Sequence, residues 1–335
     1  MSIFFQDLLY QFFKNQLYQI VIRYNPDLVS DFMKVLVTGG AGFIGKYLVK
    51  SLLKKGDSVT IFDNFSNSTK NSINFLIEMG AKIIEGDITK IQDLQNSIKD
   101  HDIVIHLAAK ISVLESINNP LETFRINVDG TNNILTACKN NHVKKLIIAS
   151  SAAVYGESPP DVKLTEESPM NPISPYGESK MQMEQNVKEF SANHDIDYII
   201  LRFFNIYGIG QSSEYAGVIT KFIKKTIKKE PLQIFGNGLQ TRDFVAIYDV
   251  IQSIHNASGY DKSGIFNIAS GKIVTIKQLA EQMILLSGSK LEIQFLAEKH
   301  GDIRHSQADI SMAKNQMMYS TKFELKDGIK ELLNK

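Results

Sequence analysis

The sequence predicts an α/β protein, a doubly wound parallel sheet with a smaller α/β domain after it. Three observations carry that expectation. From Lys34 on, short β-branched runs alternate with longer amphipathic stretches, the rhythm of strands joined by helices. The short runs are continuously apolar, as strands covered on both faces are. Glycines cluster directly after the first run, where the chain must turn tightly into a helix.

In chain order the strand candidates are KVLVT (34–38), SVTIFD (58–63), AKIIEGD (81–87), DIVIHLAA (102–109), KKLIIASS (144–151) and DYIILRFFN (197–205). Between them FIGKYLVKSLLKK, PLETFRINVDGTNNILTACKNN and SPYGESKMQMEQNVKEFSANH have helical spacing. In an open parallel sheet, ligands gather at the carboxyl ends of the strands. After Asn205 the rhythm loosens. Loops occur at QSSEYAG and FGNGLQTRD, followed by IFNIAS (265–270), a helix near IKQLAEQMILLSG and a C-terminal helix, LKDGIKELLNK. Residues 34–205 are therefore expected to form one domain. Residues 206–335 form mainly a second, with some late segments returning to the first.

A chain of 335 residues can bury a substantial core. Its 37 basic and 36 acidic side chains leave a formal charge of +1, so no global field exists to hold nucleic acid or an anionic membrane. An anion must be held by a local site. The single cysteine, Cys138, excludes an intramolecular disulfide and suits a reducing, cytoplasmic compartment. Its apolar helical setting, ILTACKN, reads as core rather than as a nucleophile.

Residues 1–33 precede this pattern as an extension. MSIFFQDLLYQFFKNQLYQIVIRY has one apolar helical face, but Asp7, Lys14, Asn15 and several glutamines rule out a bilayer span. The segment also lacks the pattern of a secretory signal. Three readings stay open: a packing helix, a membrane-surface helix, or a start codon placed too early. Met33-Lys34-Val35 is itself a natural opening for the first strand.

TGGAGFIG sets Gly39, Gly42 and Gly45 between that strand and a helix, in GxxGxxG spacing. Glycines permit close backbone approach, and the helix start offers free N–H groups to a diphosphate. Asp63 ends the next strand, where a carboxylate accepts the ribose hydroxyls of NAD and repels the 2′-phosphate of NADP. The sheet is thus expected to be of the Rossmann type. Asp87 and Ile88, after the third strand, are placed to flank the adenine. The small residues of HLAA (106–109) leave room for the cofactor. His106 reads as a strand-end packing residue, with no metal site indicated.

YGESK supplies Tyr176 and Lys180 at i and i+4, on one helix face. A free tyrosine, with a pKa of about 10, is a poor base at neutral pH, but a neighbouring cation favours the phenolate. Ser151, ending the fifth strand, is positioned to relay protons between Tyr176 and a substrate oxygen. Tyr155 reads as packing.

These motifs, with FDN (62–64), NVDGT (127–131), LRFFNIYG (201–208), QTRDFV (240–245) and GDIRHSQAD (301–309), closely resemble the extended short-chain dehydrogenase/reductase family over nearly all of residues 34–335. Within it the chain looks like the nucleotide-sugar 4-epimerases that act on UDP-glucose or UDP-N-acetylglucosamine. The resemblance implies a tightly held NAD, reduced and reoxidised within one turnover. It implies Tyr176 as the base at the sugar 4-hydroxyl, Lys180 on the nicotinamide ribose and Ser151 as assistant. For the cofactor it implies Gly39, Gly42, Phe43, Ile44, Gly45, Asp63, Asn64, Asp87 and Ile88. Leu107, Ala108, Ala109, Asn127 and Phe203 join that set, as do Tyr176 and Lys180.

For the substrate the resemblance implies Ser151, Asn205, Val218, Ile234, Phe235, Arg242, Lys299, Asp302 and Ser306. Asn205 and Arg242 would meet the diphosphate, for which a guanidinium fork is well suited. The simpler reading of Arg242 is a surface ion pair with Asp243. Ile234 and Phe235 would lie along the uracil. Lys299 departs from the pattern, standing where many relatives carry arginine. Ser306 is small where a bulky tyrosine would restrict the site to plain hexoses, which permits an N-acetyl group. Ser151-Ala152-Ala153 lacks the acid that sugar 4,6-dehydratases and UDP-glucuronate decarboxylases carry just after the serine. A 4-epimerase is therefore expected. A UDP-glucuronate 4-epimerase, a dehydratase with a displaced acid and a non-catalytic dinucleotide sensor remain as alternatives. The resemblance also implies a homodimer formed through a helix bundle.

Overall fold

A computed structural model of the protein describes residues 32–211, 217–298 and 303–334. The readings of residues 1–31, Lys299 and Asp302 lie outside the described residues, as does most of the QSSEYAG loop.

The main sheet has seven parallel strands: β1 (Lys34–Thr38), β2 (Ser58–Asp63), β3 (Lys82–Glu85), β4 (Ile103–His106), β5 (Lys145–Ser151), β6 (Asp197–Phe203) and β10 (Gly264–Ile268). Their spatial order is β10-β6-β5-β4-β1-β2-β3. The order reverses between β1 and β4, which opens the crevice where such sheets bind ligands. Strand β10 comes from the second half of the chain and pairs with β6 in parallel register, Gly264 opposite Ile199.

Successive residues feed opposite cores. Val35, Val37, Ile61, Ile105, Ile147 and Leu201 face one layer, which includes Leu48 and Leu52 of α1 (Phe43–Lys55). Leu36, Phe62, Val104, Leu146, Ile148 and Ile200 face the other. There they meet Ile134 and Leu135 of α2 (Gly130–Asn140) and Met183 and Val187 of α3 (Pro175–Asn193). Burial on both faces explains why these strands read as unbroken apolar runs.

Local signals mark the helix ends. Gly56 takes the left-handed conformation after α1 (φ 107°), which spares the Cβ strain another residue would carry. Ser174 caps α3 by accepting from the Gly177 amide, and Pro175 stands in the first turn. The long helical stretch expected from Pro120 onward contains a π turn over Arg125–Asp129 just before α2. The strand expected over 197–205 breaks after Phe203. The Phe204 amide bonds to the Ile268 carbonyl, and Asn205–Tyr207 (β7) leaves for another sheet.

That sheet places β9 (Thr241–Ala246) between β7 and β11 (Ile273–Thr275). A separate pair joins β8 (Leu232–Phe235) to β12 (Ile293–Leu296). Their core contains Phe222 of α4 (Val218–Ile227), Leu279 and Met283 of α6 (Ile276–Ser287) and Ile329 of α7 (Leu325–Leu333). By contrast, Val250 and Ile254 of α5 (Ile247–Gly259), together with Ile310 and Met317, pack into the core of the main sheet. No helix among the described residues is long and apolar enough to cross a membrane.

Leu36 is fully buried in a central strand. Leu36→Ala should cost about 2–5 kcal/mol of stability, read as a lowered midpoint in urea unfolding.

Candidate active site

The turn after β1 is pressed against the end of β4. Gly39 has φ +69°, and a Cβ there would lie 2.7 Å from the Ala108 nitrogen. A Cβ on Gly45 would lie 2.4 Å from the Gly39 carbonyl oxygen. Gly42, the N-cap of α1, contributes no side-chain cap, so the first-turn amides of Phe43, Ile44 and Gly45 are presented at an open helix start.

Asp63 is pinned by two amides, Ala41 at 3.0 Å on one oxygen and Phe65 at 2.8 Å on the other. Lone pairs remain on both oxygens for a diol. Burial pushes the Asp63 pKa up; the two amides and Lys46 oppose the rise. Asn64 is exposed and accepts from the Ser66 amide. Asp87 is partly buried and accepts from the Thr89 amide and hydroxyl. Ile88 is buried and packs in the core beneath α2. Leu107, Ala108 and Ala109 are partly buried after β4, and Phe203 is buried at the end of β6.

The open glycine cradle and the half-satisfied Asp63 carboxylate fit a dinucleotide. Asn127, in the π turn, spends its side chain on both backbone groups of Lys110 and on the Ser179 hydroxyl. It thereby braces the loop after β4 against α3. Both ring nitrogens of His106 are engaged, by the hydroxyls of Thr38 (2.8 Å) and Thr131 (3.0 Å). Burial and the charge of Lys180 lower the pKa of His106 to about 3, so the ring is neutral.

Ser151, Tyr176 and Lys180 come together where β5 meets α3. The Ser151 hydroxyl interacts with the Tyr176 phenol and opposes the rise in its pKa that burial causes. The Lys180 side chain is 4% exposed and donates to the Ala149 carbonyl at 2.8 Å. Burial lowers its pKa to about 8, against the pull of Glu184. The strand end and the helix thus hold the three groups on rigid elements. Tyr155 is indeed buried, but its hydroxyl takes part in a polar network: it donates to Asn267 at 2.6 Å and accepts from Arg202 at 2.8 Å.

A cavity of about 420 Å³ is lined by Phe235, Gly236, Gln240, Glu298, Arg304 and His305, among others. Ile234 lies behind it, buried in the small-domain core. Asn205 donates to the Asp243 carbonyl, and Val218 opens α4, partly buried. Arg242 donates to the Thr241 carbonyl. Its neighbour Asp243 is fully buried and accepts from Ser270, Gly271 and Ala308. Asp243 is therefore an internal strap and not the surface ion-pair partner that adjacency suggests. Ser306 is buried, two residues before Ala308, whose amide Asp243 accepts. Glu157 accepts the amides of Arg304 and His305 at 2.7 and 3.0 Å, tying the loop beyond Ser151 to the segment that begins at Ile303. No local pattern announces that contact, since its partners lie far apart in the chain.

A family model for NAD-dependent epimerases/dehydratases matches residues 35–269. The chain belongs to this family, and its cofactor is NAD.

Among solved structures, a UDP-N-acetylglucosamine 4-epimerase from Methanobrevibacter ruminantium, in complex with UDP-N-acetylmuramic acid, is 36% identical with a TM-score of 0.86. That match covers 90% of this chain and 97% of the other. A UDP-glucose 4-epimerase from Thermotoga maritima, with UDP-glucose, is 31% identical with the same TM-score of 0.86, covering 90% and 98%. A UDP-glucuronate 4-epimerase of Thermodesulfobacterium geofontis is 33% identical over 89% of this chain and 94% of its own length. Within the family, then, similar proteins carry the names of epimerases for three different sugars.

The cradle predicts that Gly45→Ala purifies with little or no NAD, read by absorbance of the protein-free extract. Wild-type NAD content in that variant would refute the tight packing.

Lys180 gives a prediction with a definite sign. Its folded-state pKa lies below the 10.5 of a free lysine, so the unfolded chain binds more protons between about pH 8 and 10.5. Native stability gained from this group therefore rises with pH across that window, and below it the buried charge costs about 3 kcal/mol. NAD-free Lys180→Met should melt above the wild type at pH 7, and the gap should close as pH passes through the window.

Proposed function

We propose that this protein interconverts the C4 epimers of a UDP-sugar, with UDP-glucose/UDP-galactose, UDP-GlcNAc/UDP-GalNAc or both as substrates. The observation that carries the reading is the Ser151–Tyr176–Lys180 unit at the carboxyl end of β5, followed by Ala152 and Ala153 instead of a carboxylate. Tyr176 removes the proton from the 4-hydroxyl, Ser151 bridges phenol and sugar oxygen, and the Lys180 ammonium stabilises the phenolate. Bound NAD supplies reversible oxidation at C4. Without an acid beside Ser151, elimination and decarboxylation lack their proton donor, whereas inversion at C4 requires none.

Phe235 and the cavity it lines suit the uracil, with Asn205 and Arg242 toward the diphosphate and Val218 and Ser306 around the remainder. A small side chain at Ser306 favours tolerance of an N-acetyl group. A cytoplasmic location accords with Cys138, a buried free thiol whose pKa burial pushes up.

A homodimer also belongs to this reading. The short helices Val113–Asn118 and Pro120–Phe124 pack beside α3 and leave Leu114, Ile117 and Leu121 at 70%, 57% and 83% exposure. Such an apolar cluster is suited to a second copy of the same face.

Proton NMR of the purified protein with UDP-glucose, UDP-GlcNAc and UDP-glucuronate in turn, without added NAD, tests the activity. Appearance of the galacto-configured anomeric signal identifies the sugar; no change with any of them, even after NAD is supplied, overturns the reading. Tyr176→Phe should lose at least about a hundredfold in kcat while retaining NAD. Leu114→Glu combined with Ile117→Glu should convert a dimer to a monomer in light scattering.

A further inference from the structure

Behind the catalytic unit lies a fully buried ion pair that the proposed chemistry does not use. Glu184 and Arg202 are 0% and 1% exposed and meet at 2.7 Å. Arg202 directs both its ε and η nitrogens at the carboxylate. Glu184 also accepts from the Ser150 hydroxyl at 2.5 Å. On α3, Tyr176, Lys180 and Glu184 recur every four residues and so share one face. On β5, Ser151, Ala149 and Ser150 are consecutive neighbours, each meeting one of them: Ser151 with Tyr176, Ala149 with Lys180, Ser150 with Glu184. Arg202 lies opposite Ser150 in the β5–β6 register, which completes the clamp.

Resting on the epimerase reading, we propose that Glu184 is a positioning residue. It locks the helix carrying Tyr176 and Lys180 against the strand carrying Ser151, and it holds Lys180 in its charged form. The geometry explains why a full carboxylate is kept out of water there. A neutral group could fill the space, but it would leave Arg202 buried without a counter-charge. It would also withdraw the negative charge one turn from Lys180. The other titratable groups around the ammonium do not replace it. Tyr176 on α3 is uncharged until it acts, His106 on β4 is neutral, and Arg202 on β6 is a cation. Tyr198, also on β6, has its pKa pushed up and stays neutral.

The clamp continues outward. Arg202 donates to Tyr155 and to the Glu166 carbonyl. Tyr155 donates to Asn267, whose amide reaches the Leu164 and Asp309 carbonyls. Glu184 is thereby linked to the segments flanking the substrate side.

The test uses Glu184→Gln, which keeps the shape and removes the charge, and Ser150→Ala, which cuts the tether to β5 while leaving the ion pair whole. In NAD-free protein, lysine ¹³C NMR, assigned with Lys180→Met, should show Lys180 titrating about one pH unit lower in Glu184→Gln. In the holoenzyme the alkaline limb of kcat should move down by a similar amount, with KM for the UDP-sugar held. Ser150→Ala should lower kcat several-fold, again at constant KM.

Glu184→Asp should restore the alkaline limb toward the wild-type position. A folded Glu184→Gln with unchanged Lys180 titration and unchanged alkaline limb would reduce Glu184 to a packing role. If Glu184→Gln does not fold, an unchanged kcat in Ser150→Ala overturns the proposal. Failure of the wild type to turn over any UDP-sugar would count against the epimerase reading instead, while the Lys180 titration would still judge Glu184.

Discussion

Lys180 carries an ammonium group almost wholly out of water at the seam between β5 and α3, and much of the surrounding structure answers to that. A buried cation is costly unless it is hydrogen-bonded and near a counter-charge. The Ala149 carbonyl supplies the bond, and Glu184, ion-paired with Arg202, supplies the nearby negative charge. In a medium of low dielectric constant the pull of that carboxylate on the ammonium is larger than it would be in water.

The sheet makes this possible. Because every strand of the main sheet runs the same way, the ends of β1, β2, β4 and β5 open on one edge of the sheet. Gly39, Asp63, Ala108 and Ser151 are therefore neighbours in space although they are spread over more than a third of the chain. The second half completes the cleft without standing apart from the first. Strand β10 and helix α5 are built into the main layer, while β8, β9 and the Arg304–Ala308 segment face it. Asp243 and Glu157 are the fasteners, each carboxylate collecting backbone amides from segments distant in sequence.

Much of this was legible in the sequence because it is periodic or local. Continuous apolar runs marked β1, β2 and β5 nearly to the residue, since burial on both faces leaves no place for polar alternation. The ends of β3 and β4 were read too long. Gly86, Asp87 and Leu107–Ala109 directly follow the apolar runs, but the strands end before them, at Glu85 and His106. The π turn at Asn127 and the break at Phe204 could not be read either, because each is set by a partner distant in sequence, Lys110 and Ile268 respectively.

By itself the sequence determined the fold class, the glycine turn after β1, the carboxylate at the end of β2 and the i, i+4 pairing of Tyr176 with Lys180. Those features follow from residue type and short-range spacing, which the chain carries in any conformation. Only the tertiary structure decided that Asp243 faces inward as a strap, that Ile88 belongs to the core, and that Tyr155 lies in a buried polar network. It also decided that Glu184 and Arg202 form a clamp behind the catalytic face. Whether a carboxylate meets water, an amide or a guanidinium depends on which distant strand is folded against it, and no local pattern encodes that choice.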